Sequence, residues 1–178
     1  CWGNVDGRTN HLIKFEDELW MLMKKSGCRI ILAGAESGDQ FTLDLIQKKT
    51  TVEDTYRLME KCHQYNMKVI FSCMIGFPRK NMNQEENIKE VDKEIGAAIM
   101  MIDRLNSIEP QWIQLFNYLP YPGTALYDDA VKCGFKEPES LEAWGVFNFH
   151  EKKNPWVEER QVKFVNMLAY YILKFLNP

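Results

Sequence analysis

The amino-acid sequence predicts an α/β fold built on parallel strands, and three observations carry that prediction. Short apolar runs of strand length recur at Ile30-Ile31-Leu32-Ala33, at Val69-Ile70-Phe71 and from Trp112 to Phe116. Longer stretches with apolar residues at steps of three and four separate them, the spacing of amphipathic helices. Each run ends in glycine, proline or an acidic residue, which are turn formers and not strand residues. Strand, helix, strand, helix, strand is the order of a parallel sheet or barrel.

In chain order, Phe15 to Lys25 carries Leu19, Trp20, Leu22 and Met23, a helical stripe that Gly27 can terminate in the left-handed region. The first clear strand runs from Arg29 to Ala33 and ends in Gly34-Ala35-Glu36-Ser37-Gly38. A short helix is expected near residues 41–47. Thr50 with Glu53 reads as a capping box opening a helix with Val52, Tyr56, Met59 and Cys62 on one face. Lys68 to Met74 is the second strand, ending in Ile75-Gly76-Phe77-Pro78. Asn83 can cap a long helix with apolar Ile88, Val91, Ile95, Ile99, Ile102 and Leu105. The third strand ends near Asn117-Tyr118-Leu119-Pro120-Tyr121-Pro122-Gly123-Thr124. A helix over 125–132, an irregular stretch over 134–154 and a helix over 157–176 complete the reading. The residues before Phe15 have room for one more strand. Three or four strands do not close a barrel, which takes about eight in the standard case, and an open sheet leaves an edge at its first strand.

The chain has 178 residues, 46% apolar and 26% charged, ordinary values for one globular domain. A net charge of −3 gives no electrostatic reason to expect nucleic acid as a partner. No apolar run reaches the roughly 18–20 residues of a membrane span, and Cys1-Trp2-Gly3-Asn4 resembles neither a signal peptide nor a natural start, so the chain reads as excised from something longer. Its five cysteines, Cys1, Cys28, Cys62, Cys73 and Cys133, lie far apart in sequence, without metal-ligand spacing. An odd count suggests reduced, buried thiols and a cytoplasmic setting. His11, His63 and His150 are equally dispersed.

Sites in parallel α/β folds form at the C-terminal ends of strands. Glu36 sits there between glycines, placed to accept hydrogen bonds from two hydroxyls such as a ribose diol, or to serve as a helix-start charge. Gly76 permits close backbone approach and Pro78 stiffens the turn. The Pro-Tyr-Pro-Gly turn after the third strand can meet a flat ring. Taken singly, both are also ordinary turn chemistry. Lys48-Lys49 reads as a solvated turn.

In this order the segments resemble the radical S-adenosylmethionine (SAM) superfamily, most of all the group whose members often carry an N-terminal cobalamin-binding domain. The resemblance rests on Arg8; on Ser26-Gly27-Cys28-Arg29-Ile30 through Gly34-Ala35-Glu36-Ser37-Gly38; and on Thr51-Val52-Glu53. It continues through Ile75-Gly76-Phe77-Pro78 and Tyr118 to Tyr127, then Pro138 to Trp144 and Asn154-Pro155-Trp156. It implies a partial (β/α)6 TIM-like barrel, with residues 1–134 supplying about strands three to six and residues 135–178 a C-terminal extension with a closing helix. It also implies a 4Fe-4S cluster on a C-x-x-x-C-x-x-C loop. That cluster reduces SAM to a 5′-deoxyadenosyl radical, for methyl transfer or ring formation on an unknown substrate, with cobalamin as a possible further cofactor. By carry-over, Glu36 and Ser37 hold the SAM ribose or amino-acid portion, Gly76 and Phe77 line the adenine, Tyr118, Pro120 and Tyr121 close over it, and Arg8 meets a carboxylate.

The chain departs from the family pattern in two places. It contains no cluster cysteines and no glycine-rich acidic second strand, so alone it is expected not to cleave SAM; the missing N-terminal half of the barrel is an implied partner. Arg79-Lys80 follows Gly76-Phe77-Pro78 where an acidic residue is usual, which is expected to change the local charge. Two other readings stand beside the enzyme fragment. One is a degenerate half-barrel that binds a nucleotide-like ligand or a protein without catalysis. The other is a piece of an unrelated TIM-barrel hydrolase or lyase using Glu36 as a base.

Overall fold

A computed structural model describes residues 4–109, 112–145 and 154–171, with backbone alone at 4–6. Four strands, β1 (Asn4–Arg8), β2 (Ile30–Glu36), β3 (Lys68–Ile75) and β4 (Trp112–Asn117), form one sheet in the order β1-β2-β3-β4. Every neighbouring pair is parallel, with Gly7 beside Ala33, Ala33 beside Phe71 and Phe71 beside Ile113. The helices between them are α1 (Thr9–Leu12), α2 (Asp17–Lys25), α3 (Gln40–Leu45), α4 (Val52–Gln64) and α5 (Gln84–Ile108). After β4 come α6 (Tyr127–Lys132), α7 (Leu141–Gly145) and α8 (Glu159–Tyr171). Sequential strands lying side by side with helical crossovers are the unit of a TIM-like barrel.

Burial alternates along the strands and divides the sheet into two faces. Ile31, Ala33 and Ala35 of β2, Val69, Phe71, Cys73 and Ile75 of β3, and Ile113 and Leu115 of β4 are buried. They join one core with Leu58, Met59 and Cys62 of α4, Val91, Met101 and Leu105 of α5, and Val162 and Val165 of α8. On the other face Gly34 of β2 and Ser72 of β3 stay half-buried and Gln114 of β4 is exposed. That open face is the inward side of the barrel arc.

Capping explains where α4 and α5 start. The box at α4 is Thr51 with Asp54, not Thr50 with Glu53: the Thr51 hydroxyl accepts from the Asp54 N–H, and the Asp54 carboxylate accepts from the Thr51 N–H. Thr50 instead reaches toward the same Asp54 carboxylate, 3.4 Å away. Asn83 caps α5 with Glu86 in a second reciprocal box, as the sequence indicates. The buried face of α5 is turned from the all-apolar one. Glu94, Ala98 and Met101 lie inside while Ile99 is 40% exposed, because Glu94 has a partner in the interior. The stretch after Gly134 contains α7, and in the last helix Ile172 and Phe175 lie outside the described residues. Among the described residues no helix is long and apolar enough to cross a membrane.

Candidate functional site

The C-terminal ends of β1 and β2 open into a cavity of about 360 Å³ lined by Arg8, Asn10, Gly34, Glu36, Lys48, Thr50 and Ser72 among others. Local backbone geometry builds it. The β2–β3 register shifts between Gly34 and Glu36, a bulge just before the ladder's last pair, Glu36 with Cys73. Glu36 then adopts φ 65°, a left-handed conformation that a glutamate rarely takes. Its carboxylate folds back over Gly34 so closely that a Cβ there would lie 2.3 Å from Glu36 Oε1. Glycine at 34 therefore makes the space that the carboxylate occupies. Lys48 Nζ donates to that same Oε1 at 2.7 Å. Thr9 closes the floor by donating its hydroxyl to the Gly34 carbonyl at 2.9 Å, and Asn10 holds the Lys49 carbonyl at 2.9 Å.

The structure thus brings Arg8 and Glu36 together on adjacent strand ends, and separates them from the other residues singled out in the sequence. Ser37 is buried in a turn, its hydroxyl accepting from the Asp39 N–H at 3.1 Å. Gly76 has φ 92°, and both of its backbone groups are engaged by the protein. Its N–H donates to Glu94 Oε2 at 2.6 Å and its carbonyl accepts from Trp156 Nε1 at 3.0 Å. Phe77 is buried with its ring 4.9 Å from that of Tyr118. Tyr118 is buried as well, with its carbonyl held by Asn154 Nδ2 at 2.7 Å, and burial pushes its phenol up to about 12. Pro120 is buried, and Tyr121 stands at the surface stacked on Trp144 at 5.8 Å. Phe147 and Phe149 lie outside the described residues.

The expected change of charge after Pro78 is cancelled within the fold. Arg79 is 4% exposed and donates to Glu94 at 2.6 Å, to the Phe77 carbonyl at 3.0 Å and to the Thr42 hydroxyl at 2.8 Å. Lys80 pairs with Asp129 at 3.3 Å. Lys48, Asn10, Thr50 and Ser72 were not visible as site residues. Lys48 reaches Glu36 from a turn in which Gln47 and Lys49 on either side are left-handed, φ 54° each, which a Lys-Lys pair in a sequence does not announce.

A half-arc of parallel strands, with helices on the outer face and a charged cavity at the strand ends, defines a piece of a TIM-like barrel. The radical SAM superfamily model matches residues 4–91, and that part of the chain is similar to the superfamily. A curated "uncharacterized methyltransferase" of Pyrococcus horikoshii is 26% identical over 117 residues, 66% of this chain and 23% of the relative. The chain therefore spans about a quarter of that relative's length. Among solved structures, the radical SAM methyltransferase TsrM from Kitasatospora setae, with cobalamin and a 4Fe-4S cluster bound, matches at TM-score 0.52 and 18% identity. That match covers 74% of this chain and 22% of TsrM. Coproporphyrinogen III oxidase (HemN) of Escherichia coli, a radical SAM enzyme, matches at TM-score 0.55 and 11% identity over 96% of this chain and 32% of its own. These likenesses show the fold, a partial radical SAM barrel.

The described residues differ in how they fit the two groups that the family implies. The cysteines do not fit a cluster. Cys28, Cys62 and Cys73 are buried, and burial pushes the thiols of Cys28, Cys73 and Cys133 up and that of Cys62 to about 12. A cluster ligand is a thiolate, which such burial disfavours. Among the described residues no group of three or more Cys, His, Asp or Glu can hold a metal ion. The mouth at Arg8 and Glu36 does fit the polar parts of SAM. It offers a carboxylate that accepts from hydroxyls and a guanidinium that donates to a carboxylate, both lining one cavity.

Proposed function

We propose that this chain is the SAM-holding part of the barrel of a radical SAM enzyme, with methyl transfer as the reaction it serves. The observation that carries the reading is the convergence of Arg8, Glu36 and Lys48 on one cavity at the ends of β1 and β2. Glu36 accepts hydrogen bonds from the ribose diol, and Arg8 donates to the carboxylate of SAM. Gly76, Phe77, Tyr118 and Pro120 act from behind as a rigid backing that sets the strand ends, while Tyr121 carries its ring on the outer turn. In this reading the cluster, whose role is to reduce SAM, is held by a cysteine loop outside the described residues. Cobalamin belongs to the same proposal, supported by the likeness to TsrM. Methyl transfer is supported by the likeness to two proteins named as methyltransferases.

Isothermal titration of the full-length protein with SAM and S-adenosylhomocysteine tests the reading. Saturable heat that is lost in Glu36→Ala and weakened in Arg8→Ala is the expected result. No heat from either ligand in the native protein would sink the proposal. The burial of the described cysteines favours a second reading, a half-barrel that binds a nucleotide-like ligand or protein without catalysis. Iron and sulfide analysis after reconstitution separates the two: binding of SAM with no cluster uptake supports the module, and stoichiometric uptake supports the enzyme.

A further inference from the structure

We propose that Lys48 is the positioning residue for Glu36, and that the loop carrying it is shaped for this task. The inference rests on the reading of Glu36 as a ribose ligand. Lys48 lies twelve residues beyond Glu36, with its Nζ 2.7 Å from Glu36 Oε1. Among the described residues Lys48 is the one cation within ion-pair distance of that carboxylate. The pair sits in a constrained setting: left-handed residues flank the lysine, Gln47 being also the left-handed end of α3, and the glutamate itself is left-handed. Glu36 at φ 65°, Gln47 at φ 54° and Lys49 at φ 54° are all left-handed and none is glycine. The left-handed residues on either side of Lys48 set the path of the turn that presents its side chain to Glu36.

Contacts from three elements hold that turn. Asn10 at the start of α1 donates to the Lys49 carbonyl at 2.9 Å. The end of α3 accepts from it, since the Gln47 N–H donates to Asp44 and the Lys48 N–H to Leu43. Thr50 is buried and approaches Asp54 of α4. The lysine is thus delivered by a fixed loop, and its long side chain has less freedom to lose than that of an exposed pair. Its bond falls on Oε1, the oxygen that lies over Gly34. Among the described residues the bonded oxygen is Oε1, so one oxygen of the Glu36 carboxylate is anchored and Oε2 is left for a ligand. A carboxylate oxygen has a second lone pair, so the anchored Oε1 can still accept one ligand hydroxyl while Oε2 accepts its neighbour.

Adenosine is the probe that isolates this role, because it carries the ribose diol but no amino-acid carboxylate. In the full-length protein, Lys48→Met is expected to weaken adenosine and SAM alike by about tenfold, the loss of one charge-assisted hydrogen bond at the receptor. Lys48→Arg, which keeps the charge and the donors, is expected to restore both to within about twofold. Glu36→Gln weakens both ligands on its own, and Lys48→Met added to it changes nothing further, as a residue that acts through Glu36 requires. Thermal melting of each variant shows that the fold is intact. Full adenosine binding by Lys48→Met with weakened SAM binding would assign Lys48 to the amino-acid carboxylate and overturn the positioning role. Additive effects of the two substitutions would overturn it as well. If the native protein binds neither probe, the site reading itself falls and this inference with it; native binding with an unaltered Lys48→Met removes the inference alone.

Discussion

The ends of β1 and β2 and the ends of β3 and β4 carry motifs of the same kind and use them in opposite ways. At β2 a glycine makes room for a carboxylate, and the charged groups Arg8, Glu36 and Lys48 line an open cavity. At β3 a glycine is locked on both sides, by Glu94 at its N–H and Trp156 at its carbonyl, and the aromatic residues after it face inward. The segment from Asn154 to Val157 causes the difference. Its Asn154 and Trp156 side chains stitch the two strand ends together from about forty and eighty residues away, and Val157 fills the space beside Gly76. A glycine at a strand end therefore reports close approach without saying whether a ligand or the chain itself approaches. Hydrogen-bond accounting decides it, since a glycine whose two backbone groups are both engaged has none to offer.

The comparison breaks most sharply at the buried ion pair. Glu94→Ala leaves Arg79, 4% exposed, without its main counter-charge and frees the Gly76 N–H at the same time. Removing one partner of a buried pair costs about 3–5 kcal/mol, so urea unfolding should show a large drop in midpoint. A loss below about 1 kcal/mol, the range of exposed pairs, would mean that the β3 end is as open as the β2 end. Trp156→Phe is the next largest effect. The ring stays apolar but the Gly76 carbonyl loses its donor, and a buried unsatisfied acceptor costs about 1–3 kcal/mol.

The opposite region should respond the other way. Glu36→Gln breaks a pair that is 33% exposed at the lysine and 13% at the carboxylate. Stability should change by no more than about 1 kcal/mol, while affinity for SAM falls about tenfold, worth about 1.4 kcal/mol. Parallel melting curves and titrations of the same sample check both halves. A Glu36 variant that destabilises as much as Trp156→Phe would erase the distinction between site and backing.

Much of this was legible in the sequence, and the parts that were not share a cause. The strands, the long α5 with its Asn83 cap and the left-handed Gly27 follow from local periodicity and capping chemistry, which neighbouring residues alone determine. Glu36 stood out because an acidic residue between glycines is odd wherever it occurs. Lys48 did not, because the turn that carries it holds two left-handed non-glycine residues that nothing in their type signals. Arg79 was read as a change of charge at the site, but its partner Glu94 lies fifteen residues on, inside a helix face that looks apolar if Ile99 is counted in place of Glu94. The capping box was misplaced by one residue because Thr50 and Thr51 are equivalent as letters, and only the backbone decides which one stops being helical.

The smallest effect comes from charge chemistry of the same kind placed where water reaches it. At the opposite end of the sheet Glu109, following α5, accepts from Lys68 Nζ at 2.7 Å and lies 2.9 Å from His63 Nδ1. The Lys68 hydrogen bond, followed by the one to His63, holds the Glu109 carboxyl below its ordinary value. A carboxylate whose folded value is depressed contributes stability that is fully present above its unfolded value and is lost as pH falls through the folded one. Glu109→Gln should therefore cost well under about 1 kcal/mol at neutral pH, because all three side chains are partly exposed and salt screens them. The gap between native and variant unfolding curves should close as pH drops through the acidic range, and it should narrow with added salt at neutral pH. A gap that is instead unchanged by acid and salt would show that Glu109 acts through packing, and that exposure does not separate this clip from the buried pair at Arg79.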